Sequence, residues 1–485
     1  MIPILKNAVS TLPFRARNTD ELTHAEVLGV GTVLGVYKSR GKKEMNVKHW
    51  SAIALAVSSA LSQMAFAESV SSQADAKGFI EDATATATLR NYYFNRDRSH
   101  GGADNRDWTQ GIISNFSSGF TQGTVGFGVD VYANGGLKLS GKNKYGGTGN
   151  LPLDDNGDPQ DSYGSVGGDV KVRVSKTQLK YGNMQPTAPV FAVGGSRLLP
   201  QTATGFNLNS SEFEGLDLEA GRYTSADSGL TSNHDHDIYA LYANVTAKSA
   251  TFAGGKYTIT PNWTATLYGS EFEDVWRQYY ANTNYTLPLT DDQSLNFDFN
   301  LYRTLDEGQA KAGTINNTTY SGAVAYSFLA AHTLTLSFQK VDGDTPFDYL
   351  ATGDNGGGEG GDSIFLNNSV QWSDFNAPNE LSFGARYDLN MATYGVPGLS
   401  FMARYLNGSN IDGTHTPANS QYAGLYGEDG KHHETDVEAK YVIQNGPAKD
   451  LSFRLRQAFH TANADQGEGD LSETRLIVDY PITLM

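Results

Sequence analysis

The chain has 485 residues, no cysteine, and 53 acidic against 36 basic side chains, for a formal charge of -17. Disulfides, thiolate metal centres and cysteine nucleophiles are excluded, and binding of nucleic acid has no electrostatic support. Any cation that matters here must act locally.

Residues 1–44 precede a segment built like a secretory signal, so they are expected to be an over-extended start. In that segment, 45–67, Lys48 and His49 lead into the small, apolar run 52–61, and Ala65-Phe66-Ala67 offers an A-x-A cleavage site. The run is too short and too rich in serine to cross a bilayer as a helix. Export then leaves 68–485 as one domain, with Glu68 as its first residue.

From there, period-two alternation recurs at 84–92, 124–132, 170–175, 263–272, 295–302, 333–339, 381–390, 399–406, 436–443, 451–460 and 473–484, each close to the ~9–11 residues of a tilted membrane strand. Tight turns at 260–262, 331–332, 396–398 and 445–447 alternate with long polar connections at 137–164, 351–362 and 407–433. The expected fold is all-β: a transmembrane antiparallel β-barrel of about 18 strands, the number this length accommodates. Closure is what lets a sheet pair every backbone group in hydrocarbon. Tyr92, Tyr93, Phe94, Tyr279 and Tyr280 are expected to form an interfacial girdle.

The last three segments carry the functional signal. Val437, Ala439 and Tyr441, then Leu451, Phe453 and Leu455, then Leu476, Val478 and Tyr480 share the oily face, while Lys440, Arg454, Arg456 and Arg475 stand on the polar one. These four are expected to line a water-filled pore. The same phase turns Lys171 and Arg173 inward against Val170, Val172 and Val174, and Arg386 against Phe383 and Tyr387. Arg303 falls on the oily face, which implies either a bulge or a place at headgroup level.

Other patterns are set aside. The nonapeptide-like 357–365 is a single copy of a motif that needs stacking, and reads as an external loop entering a strand. His234-Asp235-His236-Asp237 and the acidic 154–158 lack converging or correctly spaced ligands. His332 and His460 have no nucleophile elbow beside them. Neither a metal, a cofactor nor a catalysed reaction is expected.

Several segments resemble OprD-type porins: Gly78-Phe79-Ile80-Glu81-Asp82, Leu89-Arg90-Asn91-Tyr92-Tyr93-Phe94-Asn95-Arg96-Asp97, Ser196-Arg197-Leu198-Leu199-Pro200-Gln201, Gly395-Val396-Pro397-Gly398-Leu399, Leu451-Ser452-Phe453-Arg454-Leu455-Arg456-Gln457-Ala458 and Asp479-Tyr480-Pro481. The resemblance runs from about residue 78 to the end. It implies an 18-stranded, substrate-specific channel of Gram-negative outer membranes that passes small carboxylates, aromatic or aliphatic, with inward-folded loops narrowing its eyelet. On this resemblance the family's basic ladder falls on Lys440, Arg454, Arg456 and Arg475. The constriction loop lies between Met184 and Phe206 and includes Arg197, and Asp374 matches the pocket carboxylate. Trp372 stands where the family usually has tyrosine, which would favour aromatic acids over arginine-like ones. The partners implied are small carboxylate solutes, outer-membrane lipid and lipopolysaccharide, with the barrel a monomer or weak trimer. A basic amino acid or peptide porin of the same family is the alternative, and a barrel hydrolase a distant one.

Overall fold

Alternation of side chains is realised as a single closed sheet. In the computed structural model the described residues are 69–99, 102–141, 146–353 and 360–485, all within the unit 47–485; the expected over-extended start and signal segment lie outside them. Eighteen antiparallel strands run in sequence order. The first, Thr84–Arg98, pairs with its successor Asn105–Ser117 and also with the last strand, Leu471–Thr483. That second pairing closes the barrel and abolishes its edges. Among the described residues no helix is long and apolar enough to cross a membrane; strands make the crossing.

The strands outrun their sequence signatures. The segment 436–443 is the lower part of Glu428–Val442, 399–406 extends to Leu399–Asp412, and 84–92 continues to Arg98. Strands such as Asn105–Ser117, Thr202–Phe213, Trp276–Thr290 and Asn316–Phe328 have no counterpart among the predicted segments. Leu295 to Arg303 pairs without a register shift on either side, so no bulge resets the phase. Arg303 stays on the outer face and donates to Thr318 Oγ1 (3.0 Å) and Asn316 Oδ1 (2.5 Å).

Two expectations fail because the barrel is not hollow. Tyr92 and Phe94 belong to no girdle: they are fully buried, pointing inward against Leu198 and Leu199. Tyr280 is likewise buried, while its neighbour Tyr279 faces outward and is exposed. The cause is the connection 185–201, between Thr177–Met184 and Thr202–Phe213, which folds into the lumen. Its Leu198 and Leu199 reach the wall of the first strand. Its Phe191 packs on Tyr223 and Phe252, with ring centroids 4.9 and 6.3 Å apart, and the Pro189 carbonyl accepts from Tyr302 Oη at 2.9 Å. A loop that touches both walls is a crossbar.

A second inward segment corrects the reading of 357–365 over 360–365; residues 357–359 lie outside the described ones. No strand follows it until Leu381–Asn390. Residues 360–380 instead fold inward, with Ile364, Phe365 and Leu366 buried. Asn367 meets Asn300 (2.6 Å) and Ser321 (2.8 Å), while Asn368 meets Ser337 (2.6 Å) and Ser382 (2.9 Å). The two inward segments are clasped together: Ala192 N–H donates to Ser363 Oγ at 2.6 Å, and Asp362 N–H to the Ala192 carbonyl at 3.1 Å.

Candidate functional site

Six adjacent strands carry an inward basic wall: Leu381–Asn390, Leu399–Asp412, Glu428–Val442, Ser452–Ala462, Leu471–Thr483 and Thr84–Arg98. Register decides which side chains meet on it. Arg386 stands opposite Arg404, Lys440 opposite Arg454, and Arg456 opposite Arg475. Like charges directly opposite destabilise a sheet. Three such pairs on one face point to a role other than stability.

Acids interleaved among them offset part of the charge. Arg386 holds both oxygens of Asp388 at 2.7 Å, and Arg404 donates to Asp436 at 2.5 Å. Glu438 is shared: Arg454 Nη2 lies 2.7 Å from its Oε2, and Arg456 Nε 3.3 Å from the same atom. Two guanidiniums on one carboxylate leave positive charge over. The Arg454 Nε–H is buried and makes no hydrogen bond within the protein, and the Arg456 Nε–H meets Glu438 only as an ion pair; an unmade charged hydrogen bond is costly. Lys440 is exposed near the short-turn end of its strand. Arg475 is almost fully buried, gripped by Glu473 Oε1 at 2.6 Å and donating to the Gln371 carbonyl at 3.2 Å.

Phase counting also assigns inward positions to residues not singled out from sequence. Arg96 donates to Glu473 Oε2 at 2.8 Å, so Glu473 binds two arginines. Arg90 holds Asp479 at 2.9 Å and donates to the Arg197 carbonyl at 2.8 Å. With Tyr92 Oη, 3.2 Å from the Ser196 carbonyl, Arg90 fastens the tip of the crossbar to the wall. Arg197 itself lies in that loop, donates from Nε to the Thr148 carbonyl at 2.9 Å, and sits 5.5 Å from the Phe94 ring. Arg90, Arg96 and Arg404 were legible from alternation with Leu89 and with Phe401, Ala403 and Tyr405. The large inward Tyr92 and Phe94 hid the first two.

Lys171 and Arg173 point inward but are committed elsewhere. Lys171 Nζ lies 2.5 Å from Asp130 Oδ1 and 2.7 Å from Ser117 Oγ. Arg173 is taken up by the segment that precedes the barrel, donating to Gln73 Oε1 at 3.0 Å and Ser71 Oγ at 2.6 Å, with Phe120 beneath it at 4.0 Å.

Asp374 and Trp372 are placed by the second inward segment. Asp374 accepts from Tyr242 Oη and Tyr349 Oη, each at 2.9 Å, and from Ser369 Oγ at 2.6 Å. All three donors are neutral, and burial pushes its carboxyl above the ordinary range. Ser369 lines a cavity of about 120 Å3 that Arg386 and Arg404 also line. The Trp372 ring lies 4.4 Å from the Arg96 guanidinium and 5.3 Å from that of Arg98, and its backbone N–H donates to Glu434 at 2.9 Å. Its indole N–H is buried without a partner.

Comparisons with known proteins agree on what this arrangement is similar to. A family model described as outer membrane porin, OprD family, matches residues 77–484. Porin D of Pseudomonas aeruginosa is 64% identical over 444 residues, covering 91% of this chain and 100% of that protein. The porin-like protein GalP of Pseudomonas putida is 35% identical over 430 residues, 87% of this chain and 97% of that protein. Among solved structures, Pseudomonas aeruginosa OprD superposes with a TM-score of 0.76 at 61% identity, covering 86% of this chain and 99% of that one. Pseudomonas aeruginosa OpdK with vanillate gives 0.75 at 36% identity, covering 84% and 100%.

Proposed function

The chain belongs to the OprD family of outer-membrane porins, and on that premise we propose that it passes small solutes bearing a carboxylate, aromatic or aliphatic, along its basic wall. One observation carries the reading. Arg454 and Arg456 share the single carboxylate of Glu438, and the buried Arg454 Nε–H makes no hydrogen bond within the protein. A solute carboxylate entering the constriction loses water, and paired guanidinium donors replace it. The cations on neighbouring strands, Lys440, Arg386 and Arg404, offer further weak sites, so the anion is handed on rather than trapped. Vanillate, the molecule in the OpdK structure, carries such a group. In planar bilayers, benzoate is expected to reduce the ion current of the parent protein, and Arg456→Glu to abolish that reduction. A current equally sensitive to benzoate in both would remove the arginines from the account.

The second reading, a basic amino acid porin, is favoured by Asp374. A carboxylate with only neutral donors near the arginine-lined cavity suits the cationic end of a solute whose carboxylate lies on Arg386 and Arg404. Asp374→Asn is expected to lower arginine uptake several-fold and leave benzoate unchanged. Unchanged arginine uptake would leave the simple carboxylate reading alone.

A further inference from the structure

At the long-loop end of the basic wall, two of its strands and a loop bring three ligand atoms together. His432 lies on Glu428–Val442, His460 on Ser452–Ala462, and Glu468 in the connection 463–470. Both histidines are buried, 2% and 1% exposed. We propose that His432 Nδ1, His460 Nε2 and Glu468 Oε2 bind a divalent transition-metal cation of the zinc class.

Both rings are oriented by their outer nitrogens. His432 Nε2 faces Glu380 Oε1 at 2.6 Å, and His460 Nδ1 faces the Gly469 carbonyl at 2.8 Å. Each outer nitrogen therefore donates its proton to an oxygen, the arrangement that fixes the tautomer of a metal-ligating imidazole. Both inner nitrogens then present lone pairs to each other at 2.9 Å. Something positive belongs between them, either a proton or a cation. The third atom decides: Glu468 Oε2 is buried, makes no hydrogen bond, and lies 3.3 Å from His460 Nε2 and 3.9 Å from His432 Nδ1. A proton shared by the two rings leaves that oxygen unpaired, whereas a cation takes all three.

The spacing of the three atoms also fits. The nearest point equidistant from the corners of a triangle with those sides lies in its plane, about 2.0 Å from each, the length of Zn–N and Zn–O bonds. Two nitrogens and one carboxylate oxygen are borderline ligands suited to zinc and its neighbours rather than to calcium or magnesium. The Glu468 side chain is 19% exposed, which admits an ion from the external side and leaves a fourth position to water. Phe375 stacks on His432 with centroids 4.2 Å apart, so a bound ion would stiffen the base of the segment that carries Asp374.

The test is calorimetric titration of the tag-free, refolded barrel with zinc chloride, repeated with cobalt chloride to read the visible band of a low-symmetry four-coordinate Co2+ site. One zinc per barrel is expected, together with that cobalt band. Glu468→Gln, on a loop where it does not threaten folding, and His460→Gln should each weaken binding about tenfold or more. His236→Gln, on another loop, should leave it unchanged. Absence of stoichiometric zinc binding in the parent, or binding unaltered by both Glu468→Gln and His460→Gln, would overturn the proposal.

Discussion

Leu216–Asp227 through Gln293–Asp306 face the lumen with Tyr223, Phe252, Tyr268, Phe272, Tyr280 and Tyr302, whereas Leu381–Asn390 round to Thr84–Arg98 face it with arginines and their acids. Both walls use the same strand geometry and the same alternation. On the aromatic wall the inward face has become a core, with the two inward segments as its second layer. On the basic wall it stays polar, and charge is held in a lattice that its acids only partly neutralise. The inward face of a barrel is therefore not one environment, and what a residue does there depends on whether a loop covers it.

The largest effect should come from breaking the lattice at its most buried point. Glu473→Gln leaves Arg96 and Arg475 buried beside a neutral partner, and loss of one member of such a cluster costs about 3–5 kcal/mol; urea unfolding of the refolded barrel should show it as a lower midpoint. The corresponding cut on the aromatic side is Phe191→Ala. Burial loss and the cavity left behind cost about 3–5 kcal/mol, taken mainly from the crossbar, so passage of a neutral sugar should rise while the barrel stays closed. Arg90→Met is smaller: it removes the charged hydrogen bond to the Arg197 carbonyl, about 1.5–3 kcal/mol, and should appear as flickering in single-channel records.

Acidity should sharpen the contrast least. Burial raises Asp362, in the inward segment, from an ordinary 3.8 to about 6. A carboxyl raised by folding binds more protons in the folded state between those values, so the inward segment gains stability as pH falls from 7 through 6 and loses it as pH rises. Asp362→Asn keeps an oxygen for the Gly195 N–H and should flatten part of that dependence in thermal melts between pH 5 and 7.

The same division explains what was legible in the sequence. Where the inward face stays polar, as in Val437 against Glu438 or Leu455 against Arg456, period two is plain, and strand, face and inward cation follow together. Where a loop turns that face into a core, both faces are apolar or both are mixed. Tyr279 beside Tyr280 hides the strand Trp276–Thr290, and Tyr92, Tyr93 and Phe94 together imitate a girdle. The inward course of 360–380 has no local signal, because its partners Asn300, Ser321 and Ser337 lie on strands remote in sequence. His432, His460 and Glu468 are equally scattered, and only strand register and the following loop bring them together.

The central claim is that Arg454 and Arg456 select the solute. Its most direct test is uptake into liposomes holding refolded residues 68–485, comparing benzoate, a short aliphatic carboxylate, arginine and a neutral sugar of similar size. The account predicts that the two anions pass at least about tenfold faster than the sugar, and that Arg454→Ala with Arg456→Ala removes this preference while sugar passage is unchanged. Equal passage of the sugar in the parent, unaffected by the double substitution, would contradict it and make those arginines part of the wall alone.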